Sequence, residues 1–344
     1  MTGRRLVAVL TTALLAGCGS AVATTGPVPA GVRTAPERPY AVGVRQFTVD
    51  PDGPRPLPVT VWYPVDPSTF PGPVTALSWP PRPVGTPGAR SSGPDRPAGP
   101  PSPGAEAGPS VRARAAVAAG RFPVVVFSHG LRSLPALHAQ LTTRWAAAGF
   151  VVAAPTYPRT NLRARAFTRD DVRNQPADAR RLIRHLVRLG ARPGDPLGAH
   201  LAVDRFAAVG HSAGGHTTLG MFVSGRPSPL RAGIVIAGGR PVAGPARPWA
   251  PMLFVHGAAD RIVPESIGRA AYARCLGPAA FLSLPGQGHG EYLNPGRPGF
   301  TEVLATTTDF LRWTLYADRT ALRRLPTDAT APGVTTFTSR ALPT

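Results

Sequence analysis

One short stretch in the second half of the chain constrains the fold more than any other. An apolar run, Phe206–Val209, leads directly into Gly210-His-Ser-Ala-Gly214, and a segment able to form a helix follows. A strand that runs into Gly-x-Ser-x-Gly and then into a helix is typical of the nucleophile elbow, a tight turn that presents the serine above a helix N-terminus. Glycines at both ends of the motif let the strand and the helix approach closely. The pattern predicts that Ser212 is an exposed nucleophile, although a glycine-rich turn with an ordinary serine would read the same way.

Apolar runs separated by helix-like segments surround this motif. Runs that are apolar throughout, alternating with helices, indicate a mainly parallel sheet with helices on both faces. The predicted fold class is therefore α/β. The strands of this sheet are expected at 122–127, 150–155, 206–209, 232–238, 251–257 and 279–284, and the helices at 136–149, 171–189, 217–222, 266–275 and 301–316.

Composition divides the rest of the chain. The 344 residues include 43 prolines and 38 glycines, and these are clustered. Positions 66–120 hold 13 prolines and 8 glycines, a fraction typical of disorder. Two alternating segments, 40–49 and 57–64, predict an antiparallel hairpin before that insertion. We therefore expect a signal peptide at 1–17, a flexible tether at 18–38, an N-terminal hairpin at 39–65, a disordered Pro/Gly-rich insertion at 66–120, a catalytic core at 121–325 and a loose C-terminal tail at 326–344.

The N-terminal residues predict export. Arg4 and Arg5 precede a short apolar run, Leu6–Leu15, which is too short to span a bilayer. The sequence Leu15-Ala-Gly-Cys18 resembles the lipobox of bacterial lipoproteins, and that resemblance implies cleavage before Cys18 and a lipid anchor on its sulfur. The alternative is an ordinary secretory signal. Cys275 is the only other cysteine, so a lipidated Cys18 leaves no disulfide, and Cys275 is expected to be buried.

The net charge and the absence of certain motifs exclude some classes of binding partner. The formal net charge is +20, and every basic residue other than histidine is arginine. No zinc-finger spacing or RNA-binding aromatic motif accompanies the arginines, so we expect no specific nucleic-acid partner. The charge is interpreted as an affinity for anionic envelope polymers or lipid head groups. No His-Glu-x-x-His pattern is present, and neither a metal nor a cofactor is expected.

A serine hydroxyl needs a base to take its proton, and three histidines follow Ser212 in the chain. His216 lies one turn into the elbow helix, and His256 ends a strand. His289 lies in a Gly-rich loop directly after the last predicted strand, which places it at the carboxyl edge of the sheet beside the serine. We therefore predict that His289 is the base, although a loop histidine with no partner would give the same pattern.

The orienting acid is predicted to be Asp260, which also directly follows a strand at this edge. Glu265 and Glu291 are the runners-up. Glu265 looks like the first turn of a helix, where the dipole favours an acid anyway, and Glu291 is too close to His289 in sequence to face it easily. Two backbone N–H groups are needed to bind an oxyanion. We assign them to Ala213, which follows the nucleophile, and to Leu131, in the loop after the 122–127 strand.

Four motifs in this order, Phe127-Ser-His-Gly-Leu131, Gly210-His-Ser-Ala-Gly-Gly215, His256-Gly-Ala-Ala-Asp260 and Gly288-His-Gly290, resemble those of the α/β-hydrolase superfamily. Within it the chain is similar to platelet-activating-factor acetylhydrolase-like, dienelactone-hydrolase-like and cutinase-like serine esterases. His216 departs from the small residues usual there, and the 66–120 insertion is a second departure.

The resemblance implies an α/β-hydrolase fold and a lipid-anchored serine esterase of the cell envelope that cleaves small or short-acyl esters through Ser212, His289 and Asp260. A peptidase or amidase on the same fold is one alternative, and a non-catalytic envelope-binding lipoprotein is another.

Overall fold

A computed structural model describes residues 34–66, 68, 111–222, 229–239 and 250–343. The predictions of a signal peptide, of a lipid on Cys18 and of most of the tether concern residues outside these ranges. None of the helices in the described ranges combines the length and the apolar character that crossing a membrane requires.

The described strands are β1 (Ala41–Val49), β2 (Leu57–Val65), β3 (Val111–Ala113), β4 (Phe122–Ser128), β5 (Val151–Pro155), β6 (Leu201–His211), β7 (Leu230–Ile236), β8 (Met252–Gly257), β9 (Ala279–Leu284) and β10 (Thr336–Arg340). The helices are α1 (Ala139–Ala147), α2 (Gln175–Gly190), α3 (Ala213–Gly220), α4 (Glu265–Ala273), α5 (Phe300–Tyr316) and α6 (Arg319–Asp328). Short 3-10 turns occur at Pro135–His138, Arg169–Asn174, Gly198–His200 and Glu291–Leu293.

The strands form one sheet in the order β10-β9-β8-β7-β6-β4-β5-β2-β1-β3. Six neighbouring strands in this order, β9, β8, β7, β6, β4 and β5, are parallel to one another. β2 pairs antiparallel with β5 on one side, and β10 pairs antiparallel with β9 on the other. The α/β fold with a mainly parallel central sheet is confirmed, and β6, which leads to Ser212, lies near its middle.

Helices cover both faces of the sheet because the central strands are apolar on both sides. Along β4, Val124 and Val126 belong to one buried cluster, and Val125 and Phe127 belong to the other. The first cluster includes side chains from α2, α3 and α4, and the second includes side chains from α1, α5 and α6. A residue's place along a strand therefore decides which helical layer it contacts.

The C-terminal residues correct one expectation. The interpretation of 326–344 as a loose tail is wrong, because α6 continues to Asp328 and β10 extends the sheet. The β10 residues are mostly exposed and polar, so their sequence carries little strand signal, and their order comes from pairing with β9. The Arg340 guanidinium also donates to the carbonyl oxygens of Tyr272 (3.0 Å) and Cys275 at the end of α4.

The Pro/Gly-rich insertion is shorter than expected. Residues 69–110 lie outside the described part of the chain, but Val111–Ala113 form β3, which pairs with β1. The Tyr63 hydroxyl donates to the Ala115 carbonyl oxygen (2.8 Å), and Ala118 is buried. The prediction of disorder up to position 120 is therefore wrong for its last ten positions.

The insertion is attached to the edge of the sheet opposite Ser212. Val59 of β2 pairs with Pro155, the last residue of β5, so β2 runs from the carboxyl ends of the parallel strands toward their amino ends. Val65, where the insertion begins, and Val111, where the chain returns, both flank the start of β1 at that far edge.

Candidate active site

Ser212 occupies the strained turn that its motif predicts. Its backbone has φ 57° and ψ −119°, a conformation rare for a residue with a side chain, and its N–H donates to the Ile236 carbonyl oxygen (2.9 Å). A Cβ at Gly210 would overlap the Gly214 carbonyl, and one at Gly214 would overlap the Ser128 carbonyl. Both glycines are required because the strand, the helix and the β4 end meet here without space for side chains.

The structure brings Ser212, His289 and Asp260 together from three separate loops. The Ser212 Oγ lies 2.8 Å from Nε2 of His289, and Nδ1 of the same ring lies 2.7 Å from Oδ2 of Asp260. An ionised carboxylate only accepts hydrogen bonds, so Nδ1 carries the proton and Nε2 is free to accept from the serine. This is the tautomer that a general base requires.

Asp260 is held in place and kept ionised by its own loop. Its Oδ1 accepts the N–H groups of Ile262 (2.8 Å) and Val263 (2.9 Å), while Oδ2 faces His289. Burial by itself raises the pKa of Asp260, but the hydrogen bonds from His289 and from the two backbone N–H groups outweigh it, and the net pKa is below its ordinary value. The carboxylate is thus charged whenever an imidazolium forms beside it.

The loop after β4 is oriented by His129. The Tyr157 N–H donates to its Nε2 (3.1 Å), so its Nδ1 carries the proton and donates to the Gly130 carbonyl oxygen (2.7 Å). Burial lowers the pKa of His129 to about 4, which keeps this tautomer neutral. Because C=O and N–H point in opposite directions across a planar trans peptide, fixing the Gly130 oxygen also fixes the Leu131 N–H.

Leu131 and Ala213 therefore stay the predicted oxyanion donors. A Cβ built on Gly130 would lie 3.0 Å from the Ser212 Cβ, so this loop runs directly beside the nucleophile. Ala213 is the first residue of α3, where backbone N–H groups have no partner within the helix. Both N–H groups thus belong to segments that lie next to the serine.

Comparison with known proteins agrees with this geometry. Residues 105–250 match the model of the chlorophyllase family. The matched segment contains Ser212, Leu131 and Ala213, and it ends before Asp260 and His289. The chain belongs to the α/β-hydrolase superfamily. No curated protein matches the chain significantly.

The family match and the fold together support an α/β-hydrolase with activity of the esterase type. The matched segment is less than half of the chain, so the similarity does not assign this hydrolase to the chlorophyllase family or to one substrate. In the described ranges, no group of three or more His, Cys, Asp or Glu side chains is placed to hold a metal ion.

His211 is a site residue that the sequence analysis did not single out. It is the x of Gly-x-Ser in this hydrolase, and its Nε2–H donates to the carbonyl oxygen of His289 (2.7 Å). Its ring packs against His289 on one side (centroids 5.0 Å apart) and His138 on the other (5.4 Å). Burial lowers the pKa of His211 to about 4, so it is neutral beside the base. The motif gives no signal for this role, because the contact is with a backbone atom 78 residues away.

The alternative bases and acids lie outside the hydrogen-bonded row. His216 is half-buried within α3. His256 is buried beneath Asp260, with Nε2–H donating to the Val263 carbonyl oxygen (2.8 Å). Glu265 pairs with Arg269 (2.8 Å) and accepts from Ser283, and Glu291 accepts the Gly290 N–H (3.2 Å).

Cys275 is buried, and burial raises the pKa of its thiol to about 11. It is therefore a packing residue rather than a nucleophile at neutral pH.

Proposed function

We propose that the protein is a serine ester hydrolase that cleaves small or short-acyl carboxylic esters through an acyl-enzyme. The observation that carries this proposal is the hydrogen-bonded row from the Ser212 Oγ through His289 to Asp260, at 2.8 and 2.7 Å. The resemblance to acetylhydrolase-like, dienelactone-hydrolase-like and cutinase-like esterases supports the preference for small acyl groups.

Each group in the row has one task. The Ser212 Oγ attacks the ester carbonyl carbon while its proton passes to Nε2 of His289. Asp260 stabilises the resulting imidazolium, and the N–H groups of Leu131 and Ala213 bind the oxyanion. The C–O bond to the alcohol then breaks, and the alcohol leaves with the proton from Nε2. Water repeats the sequence on the acyl-enzyme and releases the carboxylic acid and the free serine.

The direct test replaces the nucleophile. Ser212→Ala should lower kcat on p-nitrophenyl acetate and butyrate by at least about a thousandfold, because the acyl-enzyme cannot form. A fluorophosphonate probe should label the wild type at Ser212 and leave the variant unlabelled. The matched control is Ser266→Ala, an exposed serine on α4 that should keep full activity. Activity retained by a folded Ser212→Ala protein would remove this serine from the mechanism, and an unlabelled wild type would favour a binding protein.

Substrate class is tested with a series of p-nitrophenyl esters from acetate to palmitate, each beside its anilide. We expect kcat/KM to peak at the short acyl chains and the anilides to react at least about a hundredfold more slowly. A higher kcat/KM for the anilides would favour the amidase alternative.

We also propose that the protein is anchored in the cell envelope through a lipid on Cys18, supported by the Leu15–Cys18 motif. After the membranes are washed at high salt, Cys18→Ser should move from the membrane fraction to the soluble fraction while the wild type stays, because the lipid is bonded to the Cys18 sulfur. Unchanged partition of this variant after the wash would contradict the anchor.

A further inference from the structure

Exposed aliphatic side chains are concentrated at the edge of the sheet that carries Ser212. In the part of the chain that the structure describes, four large hydrophobic side chains are exposed: Leu137 (59%), Leu162 (52%), Ile262 (72%) and Leu276 (47%). The first three follow β4, β5 and β8, so they lie at the carboxyl edge beside the nucleophile. Leu276 precedes β9 and lies at the opposite edge. Isolated exposed leucines are ordinary, but three at the sheet edge that carries the nucleophile favour an interaction surface.

The loops hold two of these side chains outward by backbone hydrogen bonds. The Leu162 N–H donates to the Ser133 carbonyl oxygen (3.0 Å), and the Arg132 N–H donates to the Thr160 carbonyl oxygen (2.8 Å), which joins the loops after β4 and β5. The Ile262 N–H donates to Asp260. The exposure of Leu162 and Ile262 is therefore built into loops that the site itself requires.

Arginines alternate with these aliphatic side chains. The loops after β4, β5, β8 and β9 (129–138, 156–168, 258–264 and 285–299) carry one exposed acidic residue, Glu291. They carry six exposed arginines, one of which stacks on Phe167 at 4.0 Å: Arg132, Arg159, Arg163, Arg165, Arg261 and Arg297. We call these arginines with Leu137, Leu162 and Ile262 the active-site rim.

The dimensions of the rim suit a broad, deformable partner. β5 and β8 are separated by four steps in the sheet order, so Leu162 and Ile262 follow strand ends about 19 Å apart, on the two sides of β6. Aliphatic tips with cationic groups between them match the boundary between acyl chains and anionic head groups. An anionic polymer would engage the guanidinium groups and gain nothing from the aliphatic tips. The α2 face also carries exposed arginines, Arg184 and Arg188, but no large hydrophobic side chain is exposed among the described residues there.

We propose that the active-site rim docks onto an anionic lipid surface, so that the edge of the sheet that carries Ser212 faces the bilayer. This contact is distinct from the anchor proposed at Cys18, and it does not depend on ester hydrolysis, because Ser212→Ala should dock as the wild type does. It deepens the proposed function by placing the ester substrate in, or next to, a lipid layer.

The test measures whether single side-chain positions enter the lipid layer. Ile262→Cys and Leu276→Cys are each made in the full chain that also carries Cys18→Ser, and are labelled with a solvatochromic maleimide. Cys275 stays unlabelled because it is buried with a raised pKa. With vesicles of phosphatidylglycerol and phosphatidylcholine, the dye at position 262 should shift to shorter wavelength while the dye at 276 does not. The shift should disappear with pure phosphatidylcholine vesicles and at high salt.

A charge comparison completes the test. Arg163→Gln with Arg165→Gln should weaken binding to the anionic vesicles by roughly tenfold or more. The matched control, Arg184→Gln with Arg188→Gln on α2, should weaken it by less than about twofold. No shift at position 262, an equal shift at 276, equal losses in the two arginine pairs, or the same shift with a soluble polyanion such as dextran sulfate would each overturn the proposal.

Discussion

Three imidazole rings pack one after another beside the nucleophile, and only His289 is placed to accept the serine proton. His138 is buried and His211 is half-buried, and desolvation lowers the pKa of both, so they are neutral at physiological pH. Protonated neighbours would oppose an imidazolium on His289, whereas neutral rings do not. His211 adds a second function, because its Nε2–H holds the His289 backbone carbonyl. The His289 ring is therefore oriented through its backbone as well as through Asp260.

This arrangement predicts a positioning role for His211. His211→Ala should lower kcat about tenfold with KM changed less than about twofold, because His289 loses a half-buried hydrogen bond that sets its position rather than a contact with the substrate. His211→Gln places an amide donor near the lost Nε2–H and should recover most of the rate. Steady-state kinetics on p-nitrophenyl butyrate measures both. If the two variants lose the same activity, or if the change is in KM, packing rather than the hydrogen bond explains the role of His211.

A strand could be predicted from the sequence where its own residues form a continuous apolar run. The strands that lead to Ser212 and Asp260 are continuous apolar runs, and a residue directly after such a strand must lie at the carboxyl edge. The shared edge of Ser212, Asp260 and His289 could therefore be predicted from the sequence, and the structure shows the three side chains hydrogen-bonded in a row. β3 and β10 escaped it because both are short edge strands whose order depends on a neighbour distant in the sequence.

The position where a helix begins is likewise not set by the local sequence alone. A helix was predicted over 171–189, but α2 begins at Gln175, with Pro176 in its first turn, where the missing N–H is tolerated. A 3-10 turn occupies the preceding residues, and its Asp171 pairs with Arg55 (2.6 Å) of the hairpin between β1 and β2. That ion pair holds Asp171 in the turn, and no local sequence pattern indicates a partner 116 residues away.

Across the whole molecule, arginine supplies the cations that meet buried carboxylates. Arg55 bridges Asp171 and Asp178 of the α2 region, and Arg324 bridges α6 to Asp309 of α5 (2.6 Å). The planar guanidinium suits such shared contacts better than an ammonium group does. At the second site, however, Asp328 is also close, and the Oδ2 atoms of Asp309 and Asp328 are buried without a hydrogen-bond partner. Two carboxyl groups there face one arginine, so a proton held by Asp309 relieves the excess negative charge.

This site makes the stability of the protein depend on pH. Burial raises the pKa of Asp309 from 3.8 to about 7. The neighbouring Asp328 adds to this rise, and the attraction of Arg324 opposes it. Between these two values the folded state holds a proton that the unfolded chain has released, so the free energy of unfolding falls as pH rises, and the fall is complete above pH about 7.

Asp309→Asn keeps an oxygen that can accept from Arg324 but never ionises. We expect the free energy of unfolding of this variant to exceed that of the wild type at pH 8, and its advantage at pH 8 to be larger than its advantage at pH 5 by on the order of 1–2 kcal/mol. Urea unfolding at the two pH values measures the difference. Asp170→Asn, at an exposed carboxylate, is the control and should show no such dependence. A variant that is less stable than the wild type at pH 8 would mean that the Asp309–Arg324 ion pair outweighs the cost of burying the second charge.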